Sequence, residues 1–370
     1  MSVCHVAFII DGLAGGGAEK VVLTLAGGML ARGLDVTLIS LRAEMAYTLP
    51  DGVRFIQLED RYRGPLRRQT EIRRRARALD AAVAGLPSPP QLIISNLPKT
   101  DRIVAASSLG TRAWYCLHGA VAKTQLERRS GLARILKKHQ LKNTYGNNKL
   151  IAVGRGVARD ILESGGIQPA KLEIIDNPVD LPTVRQLAME PCPMDGERFI
   201  VHVGRFHPVK RHDRLLEAFA SANYPGKLVL VGKGSHEETA DLKQRALALG
   251  ISPRVVLAGF QSNPYPWMRA AEALVLSSDH EGFGLVLVEA MACGTPVVST
   301  RYHPDGPNDI LQGELARWIV EPSCGDLARA IDEVTTVPPA IPEALLRRFS
   351  VESIVDRYLA LANGQSKAAS

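Results

Sequence analysis

The 370-residue sequence has no uninterrupted apolar run of the ~18 residues that a membrane-crossing helix needs. Its first residues enter an apolar, strand-like stretch at Val3–Ile10 without a basic region, an apolar core and a small-residue cleavage site, so no secretory leader is expected. Cysteine is sparse: Cys4, Cys116, Cys192, Cys293 and Cys324 are far apart and never form a CxxC pair. That argues against a disulfide framework and structural zinc, and it fits a reducing cytoplasm. No Asp-x-Asp triplet occurs, so the usual carboxylate pair that bridges a metal to a diphosphate is missing. Aromatic residues make up only 5% of the chain, and it has no internal repeat and no long low-complexity tract.

What is present is apolar substance for two cores. Hydrophobic residues are 46% of the chain, more than one ordinary α/β unit needs. Short apolar runs alternate with helix-length segments, which argues for an α/β architecture. In the first half the runs fall near 3–10, 34–41, 91–95, 112–117 and 150–153, with a helix from about Lys20 to Arg32. In the second half they fall near 199–203, 227–231, 255–258 and 273–276. Asn177-Pro-Val-Asp180 closes a first domain, 1–180, and Pro182, Pro191, Pro193 and Gly196 mark a linker over 181–197. A second domain spans 198–344. Residues 345–362 form a closing amphipathic helix ahead of a short polar tail that ends at 370.

The densest signal is the stretch 277–299. An apolar run leads into a loop with Gly282 and Gly284, then into helix formers closed by Gly294 and Pro296, then into Val297-Val298. Such a strand–loop–helix unit offers free main-chain N–H groups and a helix dipole to an anion. Glu289 is the odd residue, because Leu285 to Val288 and Ala290 to Ala292 are apolar on every side of the helix. A buried carboxylate is costly unless something binds it; the alternative is a Glu at one solvent-facing position. Glu281 lies at the mouth of the same turn. Gly15, Gly16 and Gly17 allow close approach of a ligand, or simply a tight turn. Arg205 and Lys210 follow a strand end and suit a diphosphate, one as a fork and one as a point charge, or are two surface cations. His118 ends another strand-like run, where open α/β sheets bind ligands, although a lone His is more often structural.

Glu281-Gly-Phe-Gly-Leu-Val-Leu-Val-Glu289, with its tail Ala290-Met-Ala-Cys-Gly-Thr-Pro-Val-Val298, resembles the Glu-x7-Glu signature of retaining glycosyltransferases of the GT-B fold, in particular family 4. The likeness covers nearly the whole chain, sharply from about 199 to 312 and loosely between 42 and 110. It implies two Rossmann-like domains facing a central cleft, with the closing helix crossing back to the first. By this resemblance Gly15, Gly16 and Gly17 face the donor phosphates and acceptor, while Gly204, Arg205 and Lys210 hold the leaving diphosphate. Glu281 contacts hydroxyls of the transferred sugar and Glu289 receives the ribose hydroxyls. Main-chain N–H groups around Phe283, Gly284, Leu285 and Val286 complete the phosphate cradle. His118 meets the sugar or its developing positive charge, and Phe260 and Gln261 lie in the turn that holds the base. Family members retain anomeric configuration, so no double-displacement nucleophile is expected. The nucleotide-sugar, with UDP as the expected nucleotide, is a substrate rather than a cofactor, and no metal is expected. Asn177-Pro178 departs from the family's commoner Asn-Gly.

The net charge of +7 is unevenly spread. Residues 61–77 hold eight arginines against Glu71, and 123–142 carries Lys123, Arg128, Arg129, Arg134, Lys137, Lys138 and Lys142 among scattered Leu and Ile. A solvated face, nucleic acid and an anionic membrane all suit such charge. Apart from Tyr62 neither segment has a base-stacking aromatic, which argues against nucleic acid. By resemblance, basic N-domains belong to members that sit on the cytoplasmic leaflet and glycosylate lipid-linked acceptors, drawn by about 1 kcal/mol per basic residue. The expectation is a cytoplasmic, peripheral transferase adding a hexose or N-acetylhexosamine to a lipid-linked or lipopolysaccharide-type glycan. The alternatives are a soluble-acceptor enzyme of the sucrose-, trehalose- or glycogen-synthase type, or a non-catalytic binding module on the same scaffold.

Overall fold

Val, Ile and Leu runs without polar alternation fit strands covered on both faces, and parallel sheets are where such strands occur. In the computed structural model, which describes residues 4–59, 64, 67–304 and 306–362, these runs form two parallel sheets. The first contains β1 (His5–Ile10), β2 (Asp35–Ser40), β3 (Arg54–Gln57), β4 (Leu92–Asn96), β5 (Trp114–Leu117), β6 (Lys149–Ala152) and β7 (Lys171–Ile174), in the order β3-β2-β1-β4-β5-β6-β7. The second contains β8 (Phe199–Val203), β9 (Lys227–Val231), β10 (Val255–Gly259), β11 (Ala273–Leu276), β12 (Val297–Thr300) and β13 (Ile319–Val320), in the order β10-β9-β8-β11-β12-β13. Strand order reverses between β1 and β4 in one sheet and between β8 and β11 in the other. The carboxyl ends at such a reversal open a crevice, which is where open α/β sheets take ligands.

The chain divides into two compact units, Met1–Pro178 with Val351–Ser370, and Val179–Ser350. Two segments differ from the sequence expectation. The proline-rich linker begins as a helix, Leu181–Leu187, because Asp180 caps it: its carboxylate accepts the Thr183 N–H at 3.1 Å, and Pro182 sits in the first turn, where no N–H is needed. The single closing helix is two, Glu343–Arg347 and Val351–Ala362. Between them Phe349 turns fully inward against Phe283, at 5.9 Å between ring centroids, and its carbonyl accepts the Val179 N–H at 2.8 Å. The Val351–Ala362 helix packs on the Gly17–Leu30 helix of its own unit. A Cβ on Gly28 would lie 2.3 Å from Val351, so glycine lets the two helices close up. Arg32 pairs with Asp356 across the same contact, and Tyr358 meets Cys116 at 3.5 Å.

Residues 61–63 and 65–66 of the arginine-rich segment lie outside the described residues. The remainder enters the Arg67–Ala84 helix, and part of its charge is internal. Arg75 pairs with Glu71 at 3.2 Å and donates to Leu41 O at 2.7 Å, and Glu71 also takes Lys99 at 3.3 Å.

The first unit also buries a carboxylate without a countercharge. Asp101 is fully enclosed and accepts from Ser95 Oγ at 2.6 Å and Tyr145 Oη at 2.8 Å. Burial outweighs these two bonds and raises its pKa from 3.8 to about 7. Because the folded value lies above the unfolded one, the protonated form favours folding. That stability is complete below about pH 4 and is lost as pH rises towards 7. Asp101→Asn is therefore expected to leave the thermal midpoint at pH 3.5 nearly unchanged and to raise it by a few degrees at pH 8. Equal effects at both values in a melting series would refute this.

Candidate active site

In the second unit the reversal point lies between the loops after β8 and β11. The β8 loop is pinned by Phe206, whose ring is buried and whose N–H donates to Lys233 O at 2.8 Å. Pro208–Lys210 makes one tight turn, and Arg211 takes a left-handed conformation (φ 53°) that turns the chain into the His212–Ser221 helix. Charges hold that turn. Arg211 pairs with Asp213 and Asp279, both at 2.9 Å, and Arg214 pairs with Asp279 at 2.7 Å and donates to Ser277 O at 2.9 Å. The two carboxylates hold the Arg211 guanidinium even more firmly protonated than usual.

This frame aims Lys210 at the β11 loop. Its carbonyl accepts from Ser277 Oγ at 2.8 Å, and its Nζ lies 2.6 Å from Glu281 Oε1, with both side chains mostly buried. Ser278 Oγ donates to the same Oε1 at 2.6 Å. Both bonds fall on one oxygen, which leaves Oε2 for a ligand. Behind Lys210, the rings of His202 and His212 meet edge to face at 4.7 Å. Burial keeps both neutral, with His212 pushed down to about 4, so they add no positive charge. Arg205 is exposed on the same loop and has no ion-pair partner among the described residues.

After Glu281 the chain reaches Gly284, left-handed at φ 98°, and starts the Leu285–Ala292 helix. First-turn amides of a helix have no intrahelical acceptor and carry the positive end of its dipole. The Phe283 side chain is not at the surface of this cradle; it is buried against Phe349, so only its main chain is available. Glu289 is 8% exposed, and Tyr265 Oη donates to its Oε1 at 3.3 Å. From Leu287 to Ala292 the helix is buried, as its composition predicts, Leu285 and Val286 are half-buried, and Tyr265 helps to stabilise the Glu289 carboxylate within the protein. At the end of β10, Gly259 (φ 70°) turns the chain out, Phe260 is 71% exposed, and Gln261 Nε2 folds back to Ala258 O at 2.7 Å. The strand ends interlock through glycine: a Cβ on Gly232 would overlap Gly204 O at 1.8 Å.

The remaining expected residues lie in the first unit. Gly15 is left-handed (φ 100°), Gly16 O accepts from Tyr47 Oη at 3.2 Å, and Gly17 starts the Gly17–Leu30 helix. His118 follows β5. Asn96, the last residue of β4, donates its Nδ2 to Ile9 O at 3.3 Å and Ile94 O at 3.2 Å. Its Oδ1 is therefore the acceptor at the 2.9 Å contact with His118 Nε2, which must carry the proton. His118 Nδ1, itself buried, is left as an acceptor without a partner among the described residues. Burial lowers the His118 pKa to about 4, so the ring is neutral at pH 7.

Sequence reasoning missed Asn96, Tyr265, Ser278 and Tyr302. Asn96 and Ser278 had a readable sign, a polar residue at the carboxyl end of an apolar strand. The tyrosines had none, because what they touch is distant in sequence.

Two family models divide the chain between them: Glycosyltransferase Family 4 matches residues 15–182 and Glycosyl transferases group 1 matches residues 190–345. The chain is 27% identical over 318 residues to the N-acetylgalactosamine-N,N'-diacetylbacillosaminyl-diphospho-undecaprenol 4-alpha-N-acetylgalactosaminyltransferase of Campylobacter jejuni, covering 84% of each chain. It is 32% identical over 227 residues to the lipopolysaccharide 1,6-galactosyltransferase of Salmonella typhimurium, covering 58% of this chain and 61% of that one. The crystal structure of Anabaena HepE in complex with UDP superposes with a TM-score of 0.75 at 20% identity, over 97% of this chain and 100% of that one. With one glycosyltransferase model matching each half, the chain belongs to the glycosyltransferases, with a family 4 domain in its first half, a group 1 domain in its second, and the GT-B fold of its structural neighbours.

Proposed function

We propose that the protein moves a sugar from a nucleoside diphosphate, UDP being the expected nucleotide, to a lipid-linked or lipopolysaccharide-type glycan, with retention of configuration. The observation that carries this is the Lys210–Glu281 pair at a reversal point, beside the amino end of the Leu285–Ala292 helix. Lys210 and Arg205 neutralise the departing diphosphate, assisted by the Gly284, Leu285 and Val286 amides. Glu281 Oε2 accepts from sugar hydroxyls and Glu289 from the ribose. The turn at Phe260 and Gln261 takes the base. As the anomeric carbon–oxygen bond breaks, the acceptor hydroxyl attacks on the same face and its proton passes to the leaving phosphate oxygen. No side chain is then needed as nucleophile, and fixed cations and amides stabilise the diphosphate without a metal. Homology to transferases named for undecaprenyl-linked and lipopolysaccharide acceptors favours that acceptor class over a soluble one.

The Gly131–Tyr145 helix supports a membrane-facing acceptor. It buries Leu141 and Tyr145, whereas Leu132, Ile135 and Leu136 are 70%, 65% and 61% exposed. At 100° per residue these three form one stripe on the side opposite Leu141 and Tyr145. Lys142 lies beside it on the same helix, and the exposed Arg128 and Arg129 precede the helix in sequence. An apolar stripe among cations fits the cytoplasmic face of an anionic bilayer better than nucleic acid, which would want the charge without the stripe.

Three outcomes follow. Arg205→Ala and Lys210→Ala are each expected to lower turnover by about 100-fold or more with an unchanged circular-dichroism spectrum; near-normal rates would remove them from the site. Thermal stabilisation by UDP is expected to be equal in EDTA and in magnesium, and a requirement for magnesium would overturn the metal-free site. Co-sedimentation with phosphatidylglycerol vesicles is expected to fall several-fold in a Leu132→Ser, Ile135→Ser, Leu136→Ser triple variant that still binds UDP normally. Unchanged sedimentation would sink the stripe's assignment.

A further inference from the structure

The loop that enters the Leu285–Ala292 helix is shaped by the segment after β12. Thr300 Oγ1 donates to Ser278 O at 2.8 Å, His303 N–H to Asp279 O at 2.9 Å, and Glu281 N–H to His303 O at 3.2 Å. Tyr302 sits among these contacts, 2% exposed, and its Oη donates to Phe283 O at 2.6 Å. A Cβ on Gly284 would lie 2.4 Å from that Oη, and one on Gly306 would lie 2.6 Å from the ring. Glycines of two loops therefore close on one phenol.

Gly284 is needed twice, for its positive φ and for the space that Tyr302 fills. The same permissiveness leaves a problem. Glycine accepts φ of either sign, so sterics do not decide which way the Phe283–Gly284 peptide plane faces. In a planar trans peptide the carbonyl and the following N–H point in opposite directions. Drawing the Phe283 carbonyl inward onto Tyr302 turns the Gly284 N–H outward, beside the unpaired amides of the helix's first turn.

We propose that Tyr302 is a positioning residue for the donor diphosphate: its hydroxyl locks the 283–284 peptide plane so that the Gly284 N–H faces the phosphate. The inference rests on the nucleotide-sugar function proposed above. It adds to it a side chain outside the Glu-x7-Glu run that acts without touching the ligand.

Tyr302→Phe keeps the ring between Gly284 and Gly306 and removes only the hydroxyl. Calorimetric titration with UDP and, separately, with uridine is expected to show UDP bound about tenfold more weakly, the loss of one hydrogen bond to a charged group. Uridine, which has no phosphate, is expected to bind as it does to the unaltered chain. Replacing Tyr302 with 4-aminophenylalanine, which places an N–H donor at the same point, is expected to restore UDP affinity. Parallel weakening of UDP and uridine would mean a general packing defect and overturn the assignment, as would UDP affinity that the phenylalanine leaves unchanged. Failure of the unaltered chain to bind any of UDP, GDP and ADP would overturn the donor function itself, and Tyr302's role with it.

Discussion

An ammonium and a carboxylate 2.6 Å apart, Lys210 on Glu281, set the terms for the second unit's site. Both groups are mostly out of water, so each depends on the other to offset its desolvation. The surroundings keep them in register. Two arginines face two aspartates in the Arg211–Asp213–Asp279–Arg214 cluster, which is thereby neutral as a set and holds the β8 turn against the β11 loop. The neutral His202 and His212 add nothing to the sum. What remains is Lys210 matched by Glu281, Arg205 without an ion-pair partner among the described residues, and the positive end of one helix. Such a site favours an anion, and the proposed diphosphate has the charge and the oxygens to suit it.

Much of the proposed recognition surface is main chain, and glycine recurs there where side chains might be expected. At Gly232 a Cβ would overlap the neighbouring loop, and at Gly284 it would strike Tyr302. Main-chain donors are rigid only if something orients each peptide. In the β11 loop that work falls to residues arriving from β12, so the proposed donor cradle belongs to two successive βα connections rather than to one sequence motif.

The sheets were legible in the sequence because strands buried on both faces read as unbroken apolar runs. The short, part-polar edge strands β3 (Arg-Phe-Ile-Gln) and β7 (Lys-Leu-Glu-Ile) lack that mark and went unseen. Glu281 and Glu289 were legible through their spacing, whereas their protein partners were not: Ser278 is near in sequence but ordinary in type, and Tyr265 is 24 residues away from Glu289. The break at Phe349 was hidden because a helical pattern continues through it. The basic segments show the converse limit. Leu132, Ile135 and Leu136 have the i, i+3, i+4 spacing of any core-facing helix, and only the burial of Leu141 and Tyr145 reveals that they face outward. Arg75 counted as surface charge in the sequence but is bound to Glu71 and the Leu41 carbonyl.

His118 shows how a neighbour can decide what a catalytic-looking residue does. Asn96 spends its two N–H groups on strand carbonyls and so presents only an acceptor, which forces the His118 proton onto Nε2 and leaves Nδ1 bare. With the ring neutral at pH 7, it has no proton to give at the enclosed Nδ1. It is not equipped to protonate a leaving group. The reaction proposed above asks for no such acid: the proton released by the acceptor hydroxyl goes to the leaving phosphate oxygen, and the fixed cations carry the remaining charge. An Asn96→Asp change would reverse it, because a carboxylate beside Nε2–H favours the imidazolium and would convert the free acceptor at Nδ1 into a donor.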